Sequence, residues 1–280
     1  MEFTPQGNNA WLFQKMYYND PEFEWEKKDS DNAVKFFTTR LATLKKTARI
    51  NVAAPFDDGL TKITLLTTYP GLVTGVGVPH ETGSKGELKL GFEFDYTTGM
   101  PVIRGHSVKG KLRSAFPQYH RPPIKFQHQK AYLIHCLIEN TEPTEEGFKA
   151  FEKDKQAQLH IGAIEEEIFD GKLNGKPLSV YRRDVFFDAY ITQASQYSST
   201  RGQYLGSDAI TPHPDPLKNP VPLPFLKVLP GVQFEFRFKL NSNGLLSAEK
   251  KKSLFEKLLL EGGMGAKTNV GYGQFKPITV

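Results

Sequence analysis

Alternation of apolar and polar side chains is clearest between Val232 and Leu240, where Val232, Phe234, Phe236, Phe238 and Leu240 are interleaved with Gln233, Glu235, Arg237 and Lys239. A period of two puts one set on each face of a strand, so this segment is read as a strand with one buried face. The same pattern covers Glu87–Tyr96, where Leu88, Leu90, Phe92 and Phe94 alternate with Glu87, Lys89, Gly91 and Glu93, and it predicts a second half-buried strand. Further strands are expected in the β-branched run from Thr61 (TKITLLTTYPGLVTG), in MPVIRG from Met100, in VFFDAYI from Val185 and in the closing GYGQFKPITV.

Helical spacing alternates with these runs. Val34, Phe37, Leu41 and Leu44 recur at three to four residues behind Asp31, read as the cap. SVKGKLRSAF is a short helix halted by Pro117, and residues 118–180 carry AYLIHCLI and the long acidic EEGFKAFEKDKQAQLHIGAIEEEIF. Ser247 caps SAEKKKSLFEKLLLEGG, whose Leu254, Phe255, Leu258 and Leu259 form the stripe to be buried and whose Gly262 and Gly263 end it.

The resulting order is strand, strand, helix, insertion, strand, strand, helix, glycine loop, strand. That order predicts an α+β fold: a ferredoxin-like (RNA-recognition-type) antiparallel sheet with helices on one face and large insertions. One domain is expected over residues 1–280, with a helical extension over 1–59, a mostly helical insertion over 117–183 and a Pro-rich loop over 192–224. That loop holds Pro212, Pro214, Pro216, Pro220, Pro222 and Pro224, and a structureless stretch of this length is usually functional. No period of 20 to 50 residues repeats, which excludes a solenoid.

Composition narrows the class. With 39% hydrophobic and 24% charged residues the chain buries a core, so global disorder is excluded. Cys136, the single cysteine, excludes an internal disulfide and a multi-cysteine zinc site, and its apolar helical setting assigns it to the core. No 18-residue apolar run and no signal-peptide start are present, so a cytoplasmic protein without membrane contact is expected.

Charge changes the picture more. The net charge is only +5, but Tyr96–Ile138 contains no acid while Arg104, Lys109, Lys111, Arg113, Arg121, Lys125 and Lys130 contribute +7. Glu139–Asp170 follows with ten acids against Lys149, Lys153 and Lys155. An acid-free basic block is the electrostatic footprint of phosphate binding, unless the two blocks are solvated faces or pair with each other.

Two glycine-lysine segments are the candidates for chemistry. In GMPVIRGHSVKGKLRSAF a strand ends at Arg104-Gly105 and a helix begins at His106 or Ser107, where free N–H groups favour an anion. Arg104, His106, Ser107, Lys109, Lys111 and Arg113 surround this corner, Lys109 and Arg113 share a flank, and Gly105 and Gly110 let another backbone come close. The second, GGMGAKTNVGYG, has five glycines in twelve residues. Ala266 and Glu261 stand where a Walker A loop needs glycine, and too little chain follows for a nucleotide-binding sheet. Gly265, Lys267, Thr268 and Asn269 are therefore read as a loop that holds a polyphosphate chain, with Tyr272 available to stack on a base. A third cluster, Gly71–Gly86, reads as a mobile hairpin.

Catalytic constellations are poor. Asp57 and Asp58 are read as turn formers, and His213 near Asp208 and Asp215 lacks metal-ligand spacing. No catalytic residue, metal or cofactor is expected. General-base candidates for RNA cleavage are scattered histidines, of which His106 is the best placed.

Taken together and in order, PVIRGHSVKGKLR and GGMGAKTNVGYG resemble the RAMP superfamily of CRISPR-associated proteins. That superfamily pairs a corner of the form Pro-x-Ile-Pro-Gly-Ser-Ser-x-Lys-Gly-x-x-Arg with a C-terminal glycine-rich loop. Arg104 stands here for the usual proline and His106 for the first serine. The AKTNVGYGQF ending, VFFDAYI and SDAITPH are similar to the Cmr6-type family of the type III-B Cmr effector complex. The resemblance implies a non-catalytic subunit near the 3′ end of the guide RNA, touching guide or guide–target duplex and other Cmr subunits; the alternative it leaves is a RAMP endoribonuclease that processes guide precursors with His106 as base. Lys109, Arg113 and Lys267 are the expected phosphate contacts. The aspartate that cuts target RNA in the family belongs to another subunit, and no counterpart is found in this sequence.

Overall fold

In the computed structural model, residues 8–20, 23, 25–46, 59–77, 82–211 and 222–278 are described. Asp57, Asp58 and residues 212–221 of the Pro-rich loop, His213 and Asp215 among them, lie outside them.

The chain opens with α1 (Asn9–Trp11), prolonged by a π-helical turn over Leu12–Met16, and α2 (Asp31–Lys46). The Ser30 hydroxyl accepts from Ala33 N–H at 3.3 Å, so the cap is Ser30, one residue before the expected Asp31. Phe13, Tyr17, Phe37 and Phe94 pack edge to face or tilted, which ties this N-terminal segment into the main core.

The central sheet contains β1 (Thr61–Thr67) and β2 (Val102–Ile103), which leads into α3 (Gly105–Ser114). Three helices follow, α4 (Ile124–Glu139), α5 (Glu145–Lys153) and α6 (Lys155–Glu165), and a π-helical turn over Glu166–Asp170. Then come a small hairpin of β3 (Lys172–Leu173) and β4 (Lys176–Pro177), and β5 (Val185–Phe186) with β6 (Ala189–Gln193). A second hairpin of β7 (Leu205–Ile210) and β8 (Leu223–Val228) precedes β9 (Gln233–Lys239), α7 (Ala248–Gly262) and β10 (Phe275–Pro277). The strand order is β10-β1-β9-β6-β2, antiparallel throughout, with β5 also beside β9.

Period-two patterning makes the core. Phe234, Phe236 and Phe238 of β9 and Ile63 and Leu65 of β1 are buried. Leu254, Phe255 and Leu259 of α7 and Val108 and Leu112 of α3 belong to the same cluster. The rings of Phe238 and Phe255 are 5.3 Å apart, and Ser247 caps α7 as expected. Cys136 is buried.

Three elements differ from the sequence reading. Glu87–Tyr96 forms no strand, only one bridge between Phe94 and Pro101. Its N–H groups are bound by scattered partners: Leu88 by the Tyr17 hydroxyl, Lys89 by Pro224 O and Glu93 by Thr74 O. Glu87, expected on the polar face, is fully buried, its carboxylate accepting from Thr82, Gly83 and Lys89. VFFDAYI splits in two because Asp188 leaves the ladder to serve α3. The stretch over 192–224 contains β7 and its pairing with β8.

A buried ionic cluster joins the helical segment to α7. Lys251, fully buried, places Nζ 2.7 Å from Asp184 and 3.4 Å from Glu167, and donates to Asn241 O. The carboxylates also accept from the N–H groups of Asn241 and Leu245. Among the described residues, no helix is long and apolar enough to cross a membrane.

Candidate nucleic-acid interface

The corner at Arg104-Gly105 is built differently from a free anion cradle. Gly105 N–H, the first donor of α3, is bound by Asp188 Oδ1 at 2.7 Å, and Arg104 is held by Glu93 at 2.8 Å and Asp188 at 3.0 Å. The helix start already has its anion, supplied from within the chain. Gly105 is required for that arrangement, since a Cβ there would lie 2.3 Å from Phe186 O. Gly110 faces open space instead, and no described segment of the chain comes close to it.

Arg113 is likewise committed. It forms a bidentate pair with Asp170, at 2.8 and 3.0 Å, and donates to Glu165 at 2.7 Å. The basic and acidic blocks therefore pair with each other at this residue, and the flank expected to present Lys109 and Arg113 to a phosphate presents Lys109, near the Phe186 ring.

Lys111 connects the two glycine-lysine segments. Gly262, at the end of α7 where the glycine loop begins, is so close that a Cβ there would sit 3.3 Å from Lys111 Cε. Burial lowers the pKa of the Lys111 ammonium. No carboxylate lies within ion-pair distance of Lys109, Lys111 or Lys267 among the described residues. A partly desolvated cation without a counter-charge is stabilised by an incoming anion. His106 and Ser107 are exposed at the start of α3.

The glycine loop is stitched down by its own backbone. Met264 N–H donates to Gly273 O, Ala266 N–H to Val73 O and Gly273 N–H to Gly71 O. A Cβ at Gly273 would lie 1.7 Å from Met264 O, and one at Gly265 2.3 Å from Val73 O, so glycine is dictated by closeness as well as by positive φ. Gly71–Thr74, within the cluster read as a mobile hairpin, is a buried underlay for this loop. Lys267 adopts φ +61°, with Nζ 5.9 Å from the Phe225 ring centre, and Thr268 and the exposed Asn269 form the following 3-10 turn.

Tyr272 does not face solvent. Its ring is buried against Phe225, and its hydroxyl donates to Asp208 at 2.7 Å, which also pairs with Lys227. Burial, then the Asp208 carboxylate, push its pKa well above the tyrosine range. The exposed aromatic beside the loop is Tyr69, 84% exposed, followed by Pro70, which would contact a Cβ at Gly271. A sequence signal for Tyr69 existed in its Thr-Thr-Tyr-Pro-Gly context, a ring at the end of a strand before a turn, but it carries no charge pattern.

A family profile described as the RAMP superfamily matches residues 64–276. No curated protein sequence matches the chain. Among solved structures, a chain of the cryo-EM structure of the Type III-B Cmr-beta bound to cognate target RNA is similar in fold. Its identity is 20% and its TM-score 0.54, over 96% of this chain and 85% of that one. A crystal structure of Cmr6 from Pyrococcus furiosus is 24% identical with a TM-score of 0.44, over 79% of this chain and 99% of its own.

Proposed function

The chain belongs to the RAMP superfamily, and from that premise we propose that it is a non-catalytic RNA-binding subunit of a type III-B CRISPR effector ribonucleoprotein. In this reading it contacts guide RNA or guide–target duplex near the guide 3′ end, touches neighbouring Cmr subunits and acts in the cytoplasm in antiviral defence. The strand order, with α3 and α7 as the crossing helices, is read as ferredoxin-like. The fold shared with a chain of a Cmr-beta structure bound to target RNA supports this.

The observation that carries the proposal is the meeting of the two glycine-lysine segments at Lys111 and Gly262. Lys109, Lys111 and Lys267 supply the phosphate contacts, with Ser107, Thr268 and Asn269 as hydrogen-bonding groups and Tyr69 as the stacking ring. Arg104 and Arg113 position the corner through Glu93, Asp188, Glu165 and Asp170 rather than contacting phosphate. Purification with natural partners tests the reading. A co-purifying short RNA of uniform length is expected, and a stable assembly containing this subunit but no RNA would refute it.

A further inference from the structure

A second basic segment follows the acidic stretch. Residues 171–183 carry Lys172, Lys176, Arg182 and Arg183 and no acid. The segment is well folded. Asn174 and Gly175 both take positive φ in the turn between β3 and β4, Leu178 N–H closes the hairpin on Gly171 O, and a 3-10 turn spans Val180–Arg182. The Arg183 side chain packs over Gly171, where a Cβ would lie 2.7 Å from Arg183 Cδ. On this frame Tyr181 is 86% exposed and Val180 71%. Lys172 and Lys176 are exposed, and neither they nor Arg182 has a carboxylate within ion-pair distance among the described residues. The hairpin adjoins the corner helix, because Asp170, the residue before Gly171, is gripped by Arg113.

We propose that the hairpin and turn over 171–183 form a second RNA contact, with phosphates on Lys172, Lys176 and Arg182 and an unpaired base stacked on Tyr181. Cations without a counter-charge, of which Arg182 also donates to Asn243 O at 3.3 Å, interleaved with an exposed ring suit a nucleic-acid strand. The cores of protein–protein interfaces are depleted in charge and in lysine, and Val180 is the one strongly exposed aliphatic side chain here. This inference rests on the RNA-binding reading above.

The test uses the full chain and a labelled single-stranded RNA of mixed sequence, titrated across a salt series, with thermal melts as the folding control. Tyr181→Ala is expected to weaken binding by about 5- to 150-fold, with Tyr181→Phe retaining affinity. Lys172→Ala with Lys176→Ala is expected to reduce the salt slope by about 1.4. The inference is overturned if these variants match wild type in affinity and slope while a Lys109, Lys111 and Lys267 triple alanine variant is impaired. Normal RNA binding with lost assembly would assign the hairpin to a protein partner and also overturn it. If wild type binds no RNA, alone or with its partners, the underlying reading falls and this inference with it.

Discussion

Replacing Lys251 by methionine removes the cation that faces two buried carboxylates. The side chains of Lys251, Asp184 and Glu167 are 1%, 1% and 2% exposed, so solvent cannot supply the missing charge. Breaking a buried pair from one side costs about 3–5 kcal/mol, and a change of that size lowers the melting temperature by on the order of 10 °C in a chain of this length. The loss has a pH signature. Burial already raises the folded-state pKa of the Asp184 carboxyl, a shift that the bond from Lys251 opposes, so removing Lys251 raises it further. A raised folded-state pKa gives stability that is present below the unfolded value, about 3.9, and lost as pH rises through the folded value. The deficit of Lys251→Met is therefore largest near pH 7.5 and narrows towards pH 4. Urea unfolding at both pH values measures it, with the exposed Lys252→Met as control and Lys251→Met/Asp184→Asn/Glu167→Gln expected to regain most of the loss. A deficit below about 1 kcal/mol, or one independent of pH, would refute the assignment of the cluster as a buried clamp.

Further outcomes separate structural from RNA-contacting residues. Tyr272→Phe should cost about 1 kcal/mol of stability through the lost Asp208 bond and leave RNA affinity unchanged, while Tyr69→Ala should do the reverse, as melts and filter binding on both variants would show. Gly273→Ala places a Cβ against Met264 O and should abolish RNA binding together with a clear loss of thermal stability. Arg113→Ala should lower stability by up to about 1 kcal/mol, since the pair is partly exposed, and leave the salt slope of RNA binding at its wild-type value.

How much of this was legible in the sequence depends on the range of the interaction concerned. β9 and α7 were readable because their burial follows a local period, and Ser247 because a cap acts over three residues. Glu87–Tyr96 shows the limit. Its alternation reports which side chains are buried, yet the groups that bind its backbone, Tyr17, Thr74 and Pro224, come from three distant segments, so no ladder forms. The ion pairs at the corner were hidden for the same reason. Arg104 and Arg113 sit in an acid-free block, but Glu93, Asp188, Glu165 and Asp170 fold onto them from outside it. Tyr272 lies in a glycine-rich string that suggests exposure, and is buried because Asp208, 64 residues away, satisfies its hydroxyl. The motifs themselves were legible, since their glycines are fixed by short-range backbone crowding; which cations stay unpaired required the fold.

The salt dependence of RNA binding tests the central claim most directly. With single-stranded RNA, the account predicts that alanine at Lys109, Lys111 and Lys267 together reduces the slope of log Kobs against log salt by about 2, at about 0.7 per phosphate contact, with an unchanged melting temperature. An unchanged slope and affinity in that variant would contradict it.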